Sequence, residues 1–139
     1  MNLTVKFNEQ GQGGVCDILL SEATSSQLES WATDANRKKH CKTLLRILKR
    51  VREWGINAVN NTEQFRNEGK YPLGIPGKGN VTIYAVKAYQ LRLYGGVWNE
   101  NGRTKLIIVD SEIKKKDKTP KAYFEAVARK VGEQYVKHR

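Results

Sequence analysis

The sequence predicts one α+β domain over residues 1–139, ordered as a strand, two helices, three antiparallel strands and a terminal helix. Three observations carry this. Leu106-Ile107-Ile108-Val109 is a short continuous apolar run rich in β-branched residues, as a central strand covered on both faces requires. Residues 81–87 and 89–94 alternate apolar and polar side chains across a tight link. Residues 34–54 and 120–135 repeat apolar side chains at helical spacing. A chain of 139 residues can bury roughly two thirds of its unfolded surface, enough for one core.

In order, Leu3, Val5 and Phe7 alternate with polar residues as a half-buried strand, and Gln10 to Gly14 is a flexible turn. Residues 15–20 read as a second strand or a pairing extension. Ser26-Gln27-Leu28-Glu29 has the capping-box pattern, which starts a short helix there. The long helix covers 34–54, with Gly55 as its C′ residue. Leu44, Leu45, Leu48, Val51 and Trp54 form its core face. Arg37, Lys38, Lys39, Lys42, Arg46, Lys49, Arg50 and Arg52 cover the rest, as a solvated face, an RNA surface or a dock for an acidic partner helix. Residues 57–80 read as a polar loop with Pro72 and Pro76. Its Gly74-Ile75-Pro76-Gly77-Lys78-Gly79 lacks the spacing and the Lys-Ser/Thr of a P-loop, and is a turn. Asn101-Gly102 marks the hairpin before the central strand.

Past the central strand, Lys114, Lys115, Lys116, Asp117 and Lys118 lead into Thr119, an N-cap, and Pro120, a first helical residue. Phe124, Val127, Ala128, Val131 and Tyr135 make one apolar stripe, and Tyr123 sits about 100° round from Phe124, flanking it. Lysines, a helix N-terminus and a phenol thus fall within a few residues. Cations with free N–H groups make an anion site, and such cations are expected to lower the tyrosine pKa from ~10. That suits chemistry on a phosphodiester. The plainer reading is a solvated lysine turn and a half-buried packing tyrosine.

A net charge of +11 and a pI near 9.8 point to a polyanionic partner, nucleic acid first, with an acidic protein or an anionic membrane surface as alternatives. No apolar run approaches the ~18 residues of a membrane span, and the N-terminus lacks a signal-peptide core, so a cytoplasmic protein is expected. Cys16 and Cys41 show no metal spacing and read as reduced core residues. His40 and His138 are too far apart in sequence to suggest a zinc site or a histidine dyad. No metal or cofactor is expected.

Several strings resemble the RelE/HigB superfamily of toxin–antitoxin ribonucleases. The segment 114–120 resembles the KKxxKTP string of the HigB-like branch that includes phage-derived members. Lys121-Ala122-Tyr123-Phe124-Glu125-Ala126-Val127 resembles the helix that carries a catalytic tyrosine. Ile83-Tyr84-Ala85-Val86-Lys87 looks like the family's LYELR strand, with Lys87 where arginine is usual, and Leu91-Arg92-Leu93-Tyr94 looks like its YRVxY strand. Paired helices ending in Trp54-Gly55 match the helical hairpin of that fold. The resemblance spans the chain from about Ser25 onward.

It implies a RelE-like fold: an N-terminal strand, a two-helix hairpin, an antiparallel sheet and a C-terminal helix. It also implies the toxin of a type II toxin–antitoxin system, an endoribonuclease cleaving mRNA at the ribosome without metal by 2′-OH attack. Tyr123 would be the base or would orient the 2′-OH. Lys87 and Arg92 would clamp the phosphate, and Lys116 or Lys118 would stabilise the leaving oxygen. Lys114, Lys115 and Lys121 would bind RNA. The implied partners are mRNA, the ribosome and a cognate helix-turn-helix antitoxin. The histidine and aspartate of some HigB members have no clear counterpart, so a second reading stands: a non-catalytic phage or mobile-element protein using its basic face on nucleic acid or protein. The gyrase-poisoning ParE branch shares the fold but usually lacks the lysine–Thr-Pro turn, and ranks lower.

Overall fold

The computed structural model describes residues 3–5, 15–59, 62–100, 102–114 and 119–138. In order come β1 (Leu3–Val5), β2 (Cys16–Ser21), α1 (Glu22–Thr33), α2 (Lys38–Trp54), α3 (Ile56–Val59), β3 (Phe65–Pro72), β4 (Asn80–Ala88), β5 (Leu91–Glu100), β6 (Arg103–Ile113) and α4 (Lys121–His138). The strands form a six-stranded sheet in the order β1-β2-β6-β5-β4-β3. Its pairs are antiparallel except β2 with β6, which run parallel. This is an α+β domain with a mostly antiparallel sheet and a C-terminal helix.

Residues 106–109 lie in β6, between β2 and β5, and all four side chains are buried. Helices cover the sheet on both sides, as that run requires. On one side Leu106 and Ile108 join Ile18, Leu20, Val86, Leu91 and Leu93 beneath Leu28 of α1 and Leu44, Leu48 and Val51 of α2. On the other, Ile107 and Val109 join Ile83, Ala85 and Tyr94 beneath Phe124, Val127, Ala128 and Val131 of α4. Gly96 lets α4 seat closely: a Cβ there would lie 2.8 Å from a Val81 methyl and 3.1 Å from both Val131 methyls. Cys16 and Cys41 are free thiols in the first core.

The structure corrects several expectations. α1 starts at Glu22, not at Ser26, because Ser21, the last residue of β2, accepts a hydrogen bond from the Thr24 amide at 3.2 Å and caps the helix. The long helix starts at Lys38. Asp34 instead closes α1, accepts from the Asn36 amide and pairs with Arg37 at 2.8 Å. Gly55, at φ 90°, does end α2. Trp54, assigned to the core face, is the last residue of α2 and 71 % exposed, and Cys41 and Ile47 complete the face.

Within the expected loop 57–80 runs the edge strand β3, paired to β4. Its alternation is hidden by charge and by a bulge between Asn67 and Lys70, where Gly69 takes φ 104°. Such features are how exposed sheet edges avoid pairing with other chains. Two aromatics anchor it: Phe65 stacks on Tyr84 at 4.9 Å, and Tyr71 meets Phe124 at 5.7 Å. The segment 73–79 is the turn from β3 into β4, closed by a hydrogen bond from the Leu73 amide to the Gly79 carbonyl. Phe7, the turn 10–14 and Asn101 lie outside the described residues.

Candidate active site

The site forms where the apolar packing beneath α4 gives way to polar side chains. β6 carries one residue more than β5 there: Gly95 pairs with Ile108, but Tyr94 pairs with Asp110. Val109 is the extra residue of a β-bulge, and it packs under α4 like Ile107. Asp110 therefore also points toward α4. Without the bulge, alternation would turn its carboxylate into the apolar core beneath α1 and α2.

Asp110 meets two side chains of α4. The Tyr123 hydroxyl donates to Asp110 Oδ2 at 2.9 Å, and the Lys130 ammonium donates to the same oxygen at 3.1 Å. Tyr123 and Lys130 are seven residues apart, two helical turns, and so share one side of α4. The Tyr123 ring meets Tyr94 edge-on at 5.0 Å, and the Tyr94 hydroxyl donates to Glu112 at 3.1 Å.

Lys87 and Arg92 lie on this same face. Lys87 pairs with Arg92 and Arg92 with Glu112, in the row beside the one formed by Ala85, Tyr94 and Asp110. Adjacent rows on one face are about 7 Å apart. Arg92 Nη1 donates to the Leu91 carbonyl at 3.1 Å and to the Tyr89 carbonyl, which turns the guanidinium toward the β4–β5 turn. Its buried Nε lacks a partner among the described residues. Burial first, then the nearby charges of Arg92, Arg66 and Lys114, push the Lys87 ammonium below the ordinary lysine range, against the opposing pull of Glu68. The structure therefore brings Tyr123, Lys87 and Arg92 to one face.

Lys114 is half-buried, with its ammonium on the Thr119 hydroxyl. That hydroxyl precedes Pro120 and Lys121, and α4 begins at the exposed Lys121. Lys115, Lys116 and Lys118 lie outside the described residues.

The expected lowering of the Tyr123 pKa is overturned. Burial, then the carboxylate of Asp110 and its hydrogen bond, push the phenol well above its ordinary value. Burial does the same to Tyr94, with Glu112 adding to it. Burial disfavours the charged phenolate, and the Asp110 carboxylate 2.9 Å away adds negative charge beside it. Tyr123 is a neutral donor at physiological pH. The pair can pass a proton, with Tyr123 Oη receiving one as its own moves to Asp110.

The sequence reading missed Asp110, Lys130, Tyr94 and Glu112 as site residues. Lys130 had a signal, its seven-residue spacing from Tyr123. Asp110 had none, because counting by twos from Ile107 places it on the wrong face. Comparison with family models, curated proteins and solved structures returns no match, so the reading of this site rests on its own geometry and on the resemblance of local strings.

Proposed function

We propose that this chain is an endoribonuclease, the toxin of a type II toxin–antitoxin pair, cleaving mRNA on the ribosome by 2′-OH attack. The observation that carries the reading is the Tyr123–Asp110 hydrogen bond on the same sheet face as Lys87 and Arg92. The ribose 2′-OH gives its proton to Tyr123 Oη as the Tyr123 proton passes to Asp110 Oδ2. The 2′-oxygen bonds to phosphorus, the bond to the 5′-oxygen breaks, and that oxygen takes a proton from Lys87. A depressed lysine pKa makes Lys87 a better acid for this step. Lys130 holds the carboxylate in place. Arg92 supplies positive charge beside the phosphate from the same sheet face, and Lys116 or Lys118 adds charge at the leaving oxygen. The products are a 2′,3′-cyclic phosphate and a 5′-hydroxyl.

The test is cleavage of translated mRNA by purified Tyr123→Phe and Asp110→Asn, mapped by primer extension. Each is expected to fold and to lose on the order of 10²–10³ in rate. Wild-type cleavage by both variants overturns the mechanism. Growth arrest on induction, relieved by the product of an adjacent helix-turn-helix gene, tests the toxin assignment.

One observation favours the second reading, a non-catalytic nucleic-acid binder: the Arg92 guanidinium is committed to turn carbonyls. That reading expects salt-sensitive binding without cleavage, ribosomes included.

A further inference from the structure

Tyr89 occupies a two-residue turn between β4 and β5. Its φ is 53°, a left-handed conformation that bulky residues rarely adopt and that Gly or Asn takes more readily. Arg92 holds the turn by donating to the Tyr89 carbonyl. The ring stacks on His40 of α2, with centroids 5.0 Å apart and planes 28° apart, yet Tyr89 is 71 % exposed. One ring face is backed, and the other is open to solvent.

His40 belongs to a helix whose outer side is almost uniformly cationic. Taking 100° per residue, Lys38, Lys39, Lys42, Arg46, Lys49 and Arg50 fall within an arc of about 120°. All six are exposed, and Glu53 is the lone acidic residue of α2. At 1.5 Å per residue the stripe is about 18 Å long, the reach of about three nucleotides of extended strand. Its far end carries a second exposed aromatic, Trp54, also 71 % exposed. A stacking ring at each end of a cationic track is how proteins hold single strands whose bases are unpaired. An acidic protein helix would use the lysines but has no need of a strained, open tyrosine.

We propose that Tyr89, backed by His40, stacks a base of single-stranded RNA while the exposed cations of α2 carry the adjoining phosphates toward Trp54. This surface lies on the α2 side of the sheet, opposite α4, and meets the Tyr123 site at Arg92, which holds the Tyr89 carbonyl; it stands whether or not the chain cuts RNA. The experiment is fluorescence anisotropy with a twelve-nucleotide 2′-O-methyl RNA, which cannot be cleaved by 2′-OH attack, across a salt series. Tyr89→Phe is expected to bind as the wild type does. Tyr89→Asn, which suits the left-handed turn, is expected to lose on the order of tenfold. Trp54→Ala, at a position packing does not need, is expected to lose several-fold. The triple variant Lys39→Gln/Lys42→Gln/Arg46→Gln is expected to reduce the slope of log affinity against log salt by about 2. Wild-type affinity in both Tyr89→Asn and Trp54→Ala overturns the proposal. So does polyglutamate binding as tight as RNA binding and equally indifferent to Tyr89→Asn, which would assign the face to an acidic protein. RNA binding that depends on Tyr89 with no mRNA cleavage defeats the nuclease reading alone. Cleavage that depends on Tyr123 with no role for Tyr89 defeats the stacking site alone.

Discussion

The two faces of the sheet share strands and differ in what covers them. Beneath α1 and α2 the interior is apolar from Cys16 to Ile108, with the buried Ser21, Thr24 and Ser25 confined to the start of α1. Beneath α4 the core is smaller, and at one end it passes into Tyr123, Asp110, Lys130, Tyr94 and Glu112, with Lys87 and Arg92 beside them. The first face holds the fold together. The second also spends burial on polar groups, each needing a partner to offset its lost hydration. That is where chemistry is affordable and where stability is most sensitive to pH.

The largest expected effect tests the first face. Leu48→Ala, at a fully buried position, should cost about 2–5 kcal/mol in urea unfolding, whereas Tyr123→Phe on the second face should cost about 1 kcal/mol or less. Equal losses would erase the contrast. Next comes the bulge. A Cβ at Gly95 would lie 2.3 Å from the Ile107 carbonyl oxygen, so Gly95→Ala should cost about 1–3 kcal/mol in urea unfolding and displace Asp110.

A pH titration sharpens the comparison further. Tyr123 and Tyr94 have folded pKa values above the ~10 of the unfolded chain. Above pH ~10 the unfolded state loses protons that the folded state keeps, so stability falls as pH rises, by up to about 1.4 kcal/mol per pH unit for each tyrosine. Tyr123→Phe should remove one proton's share of that slope and leave the curve below pH 9 unchanged in shape. Urea melts between pH 8 and 11 measure it. The smallest effect concerns the cysteines: burial pushes Cys16 up to about 11 and Cys41 upward as well, so neither thiol should react with a disulfide reagent at pH 8 faster than the protein unfolds.

Much of this was legible in the chain. The run 106–109 is the buried centre of the sheet, the residues around Leu44 and Leu48 turn α2 inward, and Tyr123 flanks the α4 stripe as its angle requires. These are local periodicities, set by side chains and backbone geometry alone. β3 was not legible, because two aromatics spaced across a bulge look like a charged loop until β4 pairs with them.

By itself the sequence determined most of the strands and helices, β3 excepted, and the apolar side of each, since burial follows a period of 2 or 3.6 residues. The tertiary structure alone decided that Asp110 meets Tyr123. A bulge arises from how one strand registers against its neighbour, so the partner strand, with Gly95 admitting the Ile107 carbonyl, chose the face on which that carboxylate appears. Burial first, and then that contact, raise the Tyr123 pKa.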